Sequence, residues 1–332
     1  LVTEQGWSLP GVALESQSIR NYPNGTVAAH LLGHLQRADD DELDEGRFDY
    51  RLRDYRGVAG IEGALDHQLR GAAGARTILV NSAGYRHRQA ERMLIEPETG
   101  QTVVTTIDLE LQRLAEQTLA VRGPETRGAV VVMDPNTGDT LAMVSAPTFS
   151  PARFLDGLTQ EDVNQLYDVR LRPAVNRATA GIYQPGSTFK IITALALLEA
   201  GVLTPETIHD RMMVHDNYYI GKRRIGDTAP VGEYDFRRAF IRSSNGYFID
   251  HARRLGLRKL LEMGARFHLG ERTGLKIAEE SAGIFPRFED VQELWSEGNL
   301  ANVSIGQEIA VTPLQLAQVV SAVANGGRIY WP

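Results

Sequence analysis

The 332-residue chain contains no cysteine, which removes disulfide frameworks, zinc–thiolate centres and cysteine nucleophiles from consideration. The same absence is compatible with an oxidising compartment, although many proteins of reducing compartments share it. There is no excess of basic residues: 35 Lys and Arg face 42 Asp and Glu, a net charge of −7. Counterion release on phosphates needs clustered cations, so no nucleic-acid partner is expected. No apolar run approaches the ~20 residues that span a bilayer, and no basic-then-apolar leader is present. Internal repeats and low-complexity tracts are missing too. What is there, 42% hydrophobic and 23% charged, suits a globular chain with room for two domains and a sizeable core.

Two stretches invite a metal reading and do not support it. The acid run "ADDDELDEGRFDY" (38–50) fixes no ligand geometry and reads as a solvated loop. "HLLGH" puts His30 and His34 on one helix face, but Leu31 stands where a metalloprotease needs its glutamate. No metal and no cofactor are expected.

Residues 1 to about 105 are polar and turn-rich, with strand-like pieces "RTILVNSAG" (76–84) and "GQTVVTTID" (100–108). Asp108 is a candidate N-cap for a helix "LELQRLAEQTLA". "GAVVVMDPNTGDTLAMVSAP" is two apolar runs joined by Pro135-Asn136-Thr137-Gly138, a β-hairpin whose continuous apolar character predicts cover on both faces. Helical patterns dominate afterwards, ending in "TPLQLAQVVSAVANGG" with Thr312 as N-cap and Pro313 at the first helical position. "RIYW" (328–331) reads as the start of a strand. With Leu1 opening the chain and a strand beginning at its end, the sequence reads as a fragment. The expected fold is α+β: a larger hairpin-plus-helix domain at 126–332, preceded by a smaller β-rich one at 1–125.

"YQPGSTFKIITALALLEAG" (183–201) carries one cation at the head of an otherwise apolar helix. Pro185-Gly186 breaks the incoming chain, and Lys190 follows Ser187 by three residues, one helical turn away on the same face. A serine hydroxyl becomes a nucleophile when a neighbour accepts its proton. An apolar surround lowers a lysine's pKa and so makes a neutral, basic amine available. The helix start adds free N–H groups that suit a developing oxyanion. The pair alone is equally compatible with a lysine whose ammonium snorkels to water. "RSSNGYF" (242–248) then places Ser243 and Asn245 among Phe240, Ile241, Tyr247 and Phe248, polar groups on an apolar wall. S-x-x-K followed by S-x-N and K-T-G is a signature shared by penicillin-binding proteins and serine β-lactamases.

With these motifs in place, the chain resembles a class B penicillin-binding protein, most of all the elongation-specific kind, penicillin-binding protein 2. "RNYPNGTVAAHLLGH" (20–34) and "GVAGIEGALDHQLRGAAG" (57–74) resemble its pedestal, a dimerisation-type domain. The 128–147 hairpin, "NRATAGIYQPGSTFK" (176–190) and "SIGQEIAVTPLQLAQVVSAVANGG" (304–327) resemble its transpeptidase domain, in the family's order. The resemblance implies Ser187 as acylated nucleophile and Lys190 as its base. It implies Ser243 in the proton shuttle to the leaving amine, and Asn245 binding the donor peptide's amide. The implied reaction is ping-pong D,D-transpeptidation of peptidoglycan stem peptides ending in D-Ala-D-Ala, blocked by β-lactams, in lateral wall elongation and cell shape. Implied partners are a membrane glycan polymerase of the elongation family and elongation scaffold proteins. The implied location is the extracytoplasmic face of the bacterial inner membrane, with an N-terminal anchor helix outside these residues. A D,D-carboxypeptidase and a non-catalytic penicillin-binding scaffold or sensor are the alternatives.

The departures are specific. No K-[ST]-G occurs in the chain, and "GLKIA" around Lys276 does not supply it, so the transpeptidase domain is expected to be C-terminally incomplete and these residues alone inactive. Glu308 follows "SIGQ" where many relatives have glycine. Some elongation-type relatives hold a zinc ion beside the site. Asp210 and Asp227 are remnants of such ligands at most, and no metal is expected.

Overall fold

The computed structural model describes residues 19–37, 55–72, 74–77, 82, 92–276 and 279–332. The acid run (39–50 and Ala38) and most of "RTILVNSAG" lie outside the described residues. The architecture is α+β, as expected, and every strand pair among the described residues is an antiparallel two-stranded ladder.

The amino-terminal part interleaves short elements. Helix α1 (Ala29–Leu32) leads into β1 (Leu35–Arg37), which pairs with β2 (Tyr55–Gly57). Helices α2 (Gly60–Ala64) and α3 (Asp66–Arg70) follow, then β3 (Ala75–Thr77) and β4 (Arg92–Ile95). The described portion is therefore as helical as it is stranded. Its tightest point is the crossing of Gly33 and Ala59: a Cβ on Gly33 would stand 1.7 Å from the Ala59 carbonyl oxygen, at φ +78°. Only glycine permits that approach.

"GQTVVTTID" forms no strand. It runs beside the next hairpin through single bonds, Thr106 Oγ1 to the Thr140 carbonyl (2.7 Å) and Asp108 N to the Leu141 carbonyl (2.9 Å), without a ladder. Asp108 then caps α4 (Leu109–Ala120), its Oδ1 accepting from Leu111 N at 2.9 Å. Buried Gln112 of α4 docks on the hairpin by exchanging two bonds with the Met143 backbone, at 2.7 and 2.9 Å.

That hairpin is β5 (Gly128–Met133) and β6 (Thr140–Ala146), closed by the expected turn, with Gly138 at φ +87°. α4 covers β6, and α13 (Pro313–Ala324) covers β5. α13 starts in a capping box between Thr312 and Gln315, with Pro313 at its first position. Residues 328–331 form no strand: the Tyr330 carbonyl is taken by Gln318 Nε2 (3.0 Å), so it enters no ladder.

Between hairpin and α13 helices outnumber strands among the described residues. The elements are α5 (Arg153–Asp156), α6 (Gln160–Leu166), a 3-10 turn (Gly186–Phe189) and α7 (Lys190–Glu199). Two small ladders follow, β7 (Met212–Val214) with β10 (Gly232–Tyr234), and β8 (Asn217–Ile220) with β9 (Arg223–Gly226). Then come α8 (Phe236–Arg242), α9 (Asn245–Leu255), α10 (Leu257–Arg266), α11 (Phe288–Val291) and α12 (Glu297–Ser304). Phe189, Ile192 and Leu197 of the 3-10 turn and α7 meet Phe248, Leu260 and Val303 in the main core. The S-x-x-K motif therefore stands on the largest cluster of buried apolar residues among the described ones. Among the described residues no helix is long and apolar enough to cross a membrane.

Candidate active site

Ser187 sits in the 3-10 turn that runs directly into α7, and its side chain is exposed. The turn is held from behind. Gly186 N donates to the Gly306 carbonyl at 3.0 Å, and a Cβ on Gly306, at φ +76°, would stand 2.0 Å from the Gly186 carbonyl oxygen. Thr193 of α7 bonds the Ser304 carbonyl at 2.8 Å, so the "SIGQ" segment grips the motif at two levels. Glu308 keeps that segment bent at φ +64°, with Asn299 Nδ2 donating to its carboxylate at 2.8 Å and Asn302 Nδ2 donating as well.

Lys190, the first residue of α7, is 3% exposed. Its Nζ donates to the Ser243 carbonyl (2.6 Å), Ser243 Oγ (3.2 Å) and Asn245 Oδ1 (2.7 Å), with the Phe248 ring centroid 5.6 Å away. Burial pushes the amine down from its ordinary 10.5 to about 8, and the nearby charge of Asp227 opposes the fall. The S-x-x-K and S-x-N motifs, 53 residues apart at Lys190 and Ser243, are thus one cluster. Spacing alone places Lys190 against Ser187. In the structure the three acceptors on Ser243 and Asn245 hold the amine, and no hydrogen bond joins Ser187 Oγ to it among the described residues. Catalytic hydrogen bonds in unliganded sites are commonly long and tighten around substrate.

The S-x-N segment is a break between helices. Ser243 adopts a left-handed conformation (φ 56°), ending α8. Buried Ser244 caps α9, its Oγ accepting from Tyr247 N at 3.2 Å. Asn245 opens α9, its Nδ2 donating to the Gly226 carbonyl at 2.9 Å, which turns Oδ1 toward Lys190.

Ser244 and Gly306 escape a reading of motifs, and Asp227 and Glu308, which the sequence does single out, take part here in other roles. A serine followed by a new helical pattern signals the Ser244 cap, and glycine in "SIGQ" hints at a close approach; Asp227 carries no local signal of its role. Asp227, a candidate remnant ion ligand by sequence, instead accepts three hydrogen bonds from the start of α9 and one from Ala229 N in its own turn. Asp210 is exposed on a turn. Among the described residues no group of three or more His, Asp or Glu is placed to hold a metal ion. His30 and His34 are occupied differently. His30 Nε2 lies 2.6 Å from the Pro173 carbonyl, and the His34 ring stacks on Phe154 at 3.7 Å.

Residues 128–332 match the penicillin-binding protein transpeptidase domain, and residues 2–105 the penicillin-binding protein dimerisation domain. The chain belongs to the penicillin-binding protein transpeptidase family. It is 33% identical over 332 residues to the peptidoglycan D,D-transpeptidase MrdA of Acinetobacter baumannii, covering 98% of this chain and 48% of the relative. The Pseudomonas aeruginosa PBP2 structure in complex with WCK 5153 superimposes with a TM-score of 0.79 at 31% identity, covering 96% of this chain and 67% of that one. The Helicobacter pylori PBP2 in its complex with MreC gives 0.81 at 27% identity, covering 94% and 58%. The chain spans about half the length of the curated relatives it matches. Within this penicillin-binding protein family, the α4–β5–β6–α13 stack and the cluster of buried Lys190 with half-buried Ser243 and Asn245 lie inside the matched transpeptidase region, apart from α4.

Proposed function

We propose that this chain is the catalytic part of a peptidoglycan D,D-transpeptidase of the elongation type, with a pedestal at 1–125 and a transpeptidase domain at 126–332. The observation that carries the reading is a buried amine shared by Ser243 and Asn245, one turn from exposed Ser187. Ser187 Oγ attacks the carbonyl of the penultimate D-Ala, and its proton passes to neutral Lys190 Nζ. The C–N bond breaks, and the proton returns through Ser243 to the departing D-alanine amine. An amine from a neighbouring stem peptide then attacks the acyl-serine, forms the cross-link and frees Ser187. Asn245 orients the donor through its amide. The oxyanion and the substrate carboxylate additionally call for a K-[ST]-G strand, a sequence these 332 residues do not contain.

A β-lactam ring offers the same acyl carbon and leaves a persistent acyl-enzyme. The relative from H. pylori, solved with MreC, supports an elongation scaffold protein as a partner for this chain. A neighbour from a structure on the coordination of polymerization and crosslinking by a peptidoglycan synthase complex supports a glycan polymerase beside it. The extracytoplasmic face of the inner membrane is the location this reading assigns. Labelling of the full-length protein with a fluorescent penicillin tests the reading: the parent takes a stable label and Ser187→Ala takes none. An unlabelled parent, or a label that survives Ser187→Ala, overturns it. A label lost within seconds points to a β-lactamase.

A further inference from the structure

Asp227 follows β9 and reaches across to the break between α8 and α9. Its Oδ1 accepts from Ala229 N (2.8 Å) and Asn245 N (3.0 Å), and its Oδ2 from Ser244 Oγ (2.9 Å) and Gly246 N (2.5 Å). Its own N–H donates to the Asp216 carbonyl at 2.8 Å, anchoring it to the start of the β8–β9 ladder. A negative charge at a helix start is favourable in itself, and a cap alone would explain part of this. Yet Ser244 already supplies the capping oxygen of α9. The residues either side of Asp227 also act on the site: the Gly226 carbonyl receives Asn245 Nδ2, and Thr228 Oγ1 donates to the Ser243 carbonyl. The 226–229 turn therefore grips both Ser243 and Asn245, and the Asp227 carboxylate clamps that turn to α9.

We infer that Asp227 is a positioning residue of the acyl-transfer site, holding Ser243 and Asn245 so that their oxygens face Lys190. The inference rests on the reading of Ser187 and Lys190 as nucleophile and base. Electrostatics agrees with the geometry. The groups facing Lys190 from α8 and α9, namely Ser243, Asn245 and Phe248, are uncharged, and Asp227 is the ionisable group whose charge acts on the amine. Removing it withdraws support from the ammonium form, so the amine loses its proton at lower pH.

The test uses the full-length protein and the variants Asp227→Ala and Asp227→Asn. The second keeps one acceptor oxygen and guards against loss of folding. The second-order rate of acylation by a fluorescent penicillin is followed against pH, and the Lys190 titration by ε-carbon NMR. Both variants are expected to acylate at least about 10-fold more slowly, the scale of a misplaced catalytic group. Both the midpoint of the pH profile and the Lys190 titration should move to lower pH. Slower acylation with an unmoved midpoint and titration marks a merely structural cap and overturns the inference, as does acylation at the parent's rate. A label that survives Ser187→Ala is a different failure. It refutes the acyl-transfer reading, while the Lys190 titration still decides whether Asp227 governs this cluster.

Discussion

Two buried bases, Lys190 in the region that matches the transpeptidase domain and His30 in the region that matches the dimerisation domain, show opposite outcomes of the same physical cost. Both lose basicity through burial, at 3% and 9% exposure. Lys190 has three oxygen acceptors and the opposing charge of Asp227, and its pKa stops at about 8. His30 has one carbonyl partner, an edge-on Phe149 ring 5.0 Å away and the repelling charge of Arg177; it falls to about 4. The first group titrates where an enzyme works, whereas the second is neutral throughout ordinary conditions and acts as a polar ring in an aromatic cluster. What would separate a catalytic base, the role proposed for Lys190, from a structural one is the set of acceptors and charges around it, rather than burial.

The largest expected effect comes from breaking the first member of the pair. Lys190→Ala should slow penicillin acylation by about 10³-fold, within the range for a lost general base, while the protein stays folded. Folding survives because the lost packing is offset by removal of a buried amine. In the parent, acylation should rise with pH through about 8, since the neutral amine is the active form. Stopped-flow acylation from pH 6 to 10, with circular dichroism on the variant, measures both. A parent profile flat across that range shows that Lys190 is not the base.

A smaller effect should follow from disturbing Ser187 from behind, leaving Lys190 untouched. Gly306→Ala puts a methyl group into the Gly186 carbonyl at φ +76°. The turn must shift, and acylation should fall about 10- to 100-fold with a loss of about 1–3 kcal/mol in stability. An unchanged rate would mean that the "SIGQ" contact does not place the nucleophile.

The smallest effect on chemistry belongs to His30. His30→Gln should leave acylation within about twofold and change only the acid limb of stability. The folded pKa lies below the ordinary 6.5, so the unfolded chain takes up a proton first and stability falls as pH drops from about 6.5 to about 4. The parent should lose about 3 kcal/mol more than the variant over that window, read by denaturant titration at several pH values. A change in acylation would join this cluster to the site.

Much of this was legible along the chain because the information is local. Thr312-Pro313, the Asp108 cap and the Pro135–Gly138 turn are each encoded within four residues, and each forms as read. The motif residues Ser187, Lys190, Ser243 and Asn245 and the family follow from order and identity. "GQTVVTTID" and "RIYW" misled because alternating apolar residues promise a strand, while a ladder needs a partner edge that local sequence does not specify.

The sequence by itself determined the caps, the hairpin, the two motifs and the need of an apolar helix for a lysine with partners. Tertiary structure decided which partners Lys190 takes, that Asp227 clamps the S-x-N corner, and that Gly306 backs Ser187. Those contacts join segments 17 to 120 residues apart. Such contacts depend on how helices pack around a shared core, and no spacing along the chain encodes that.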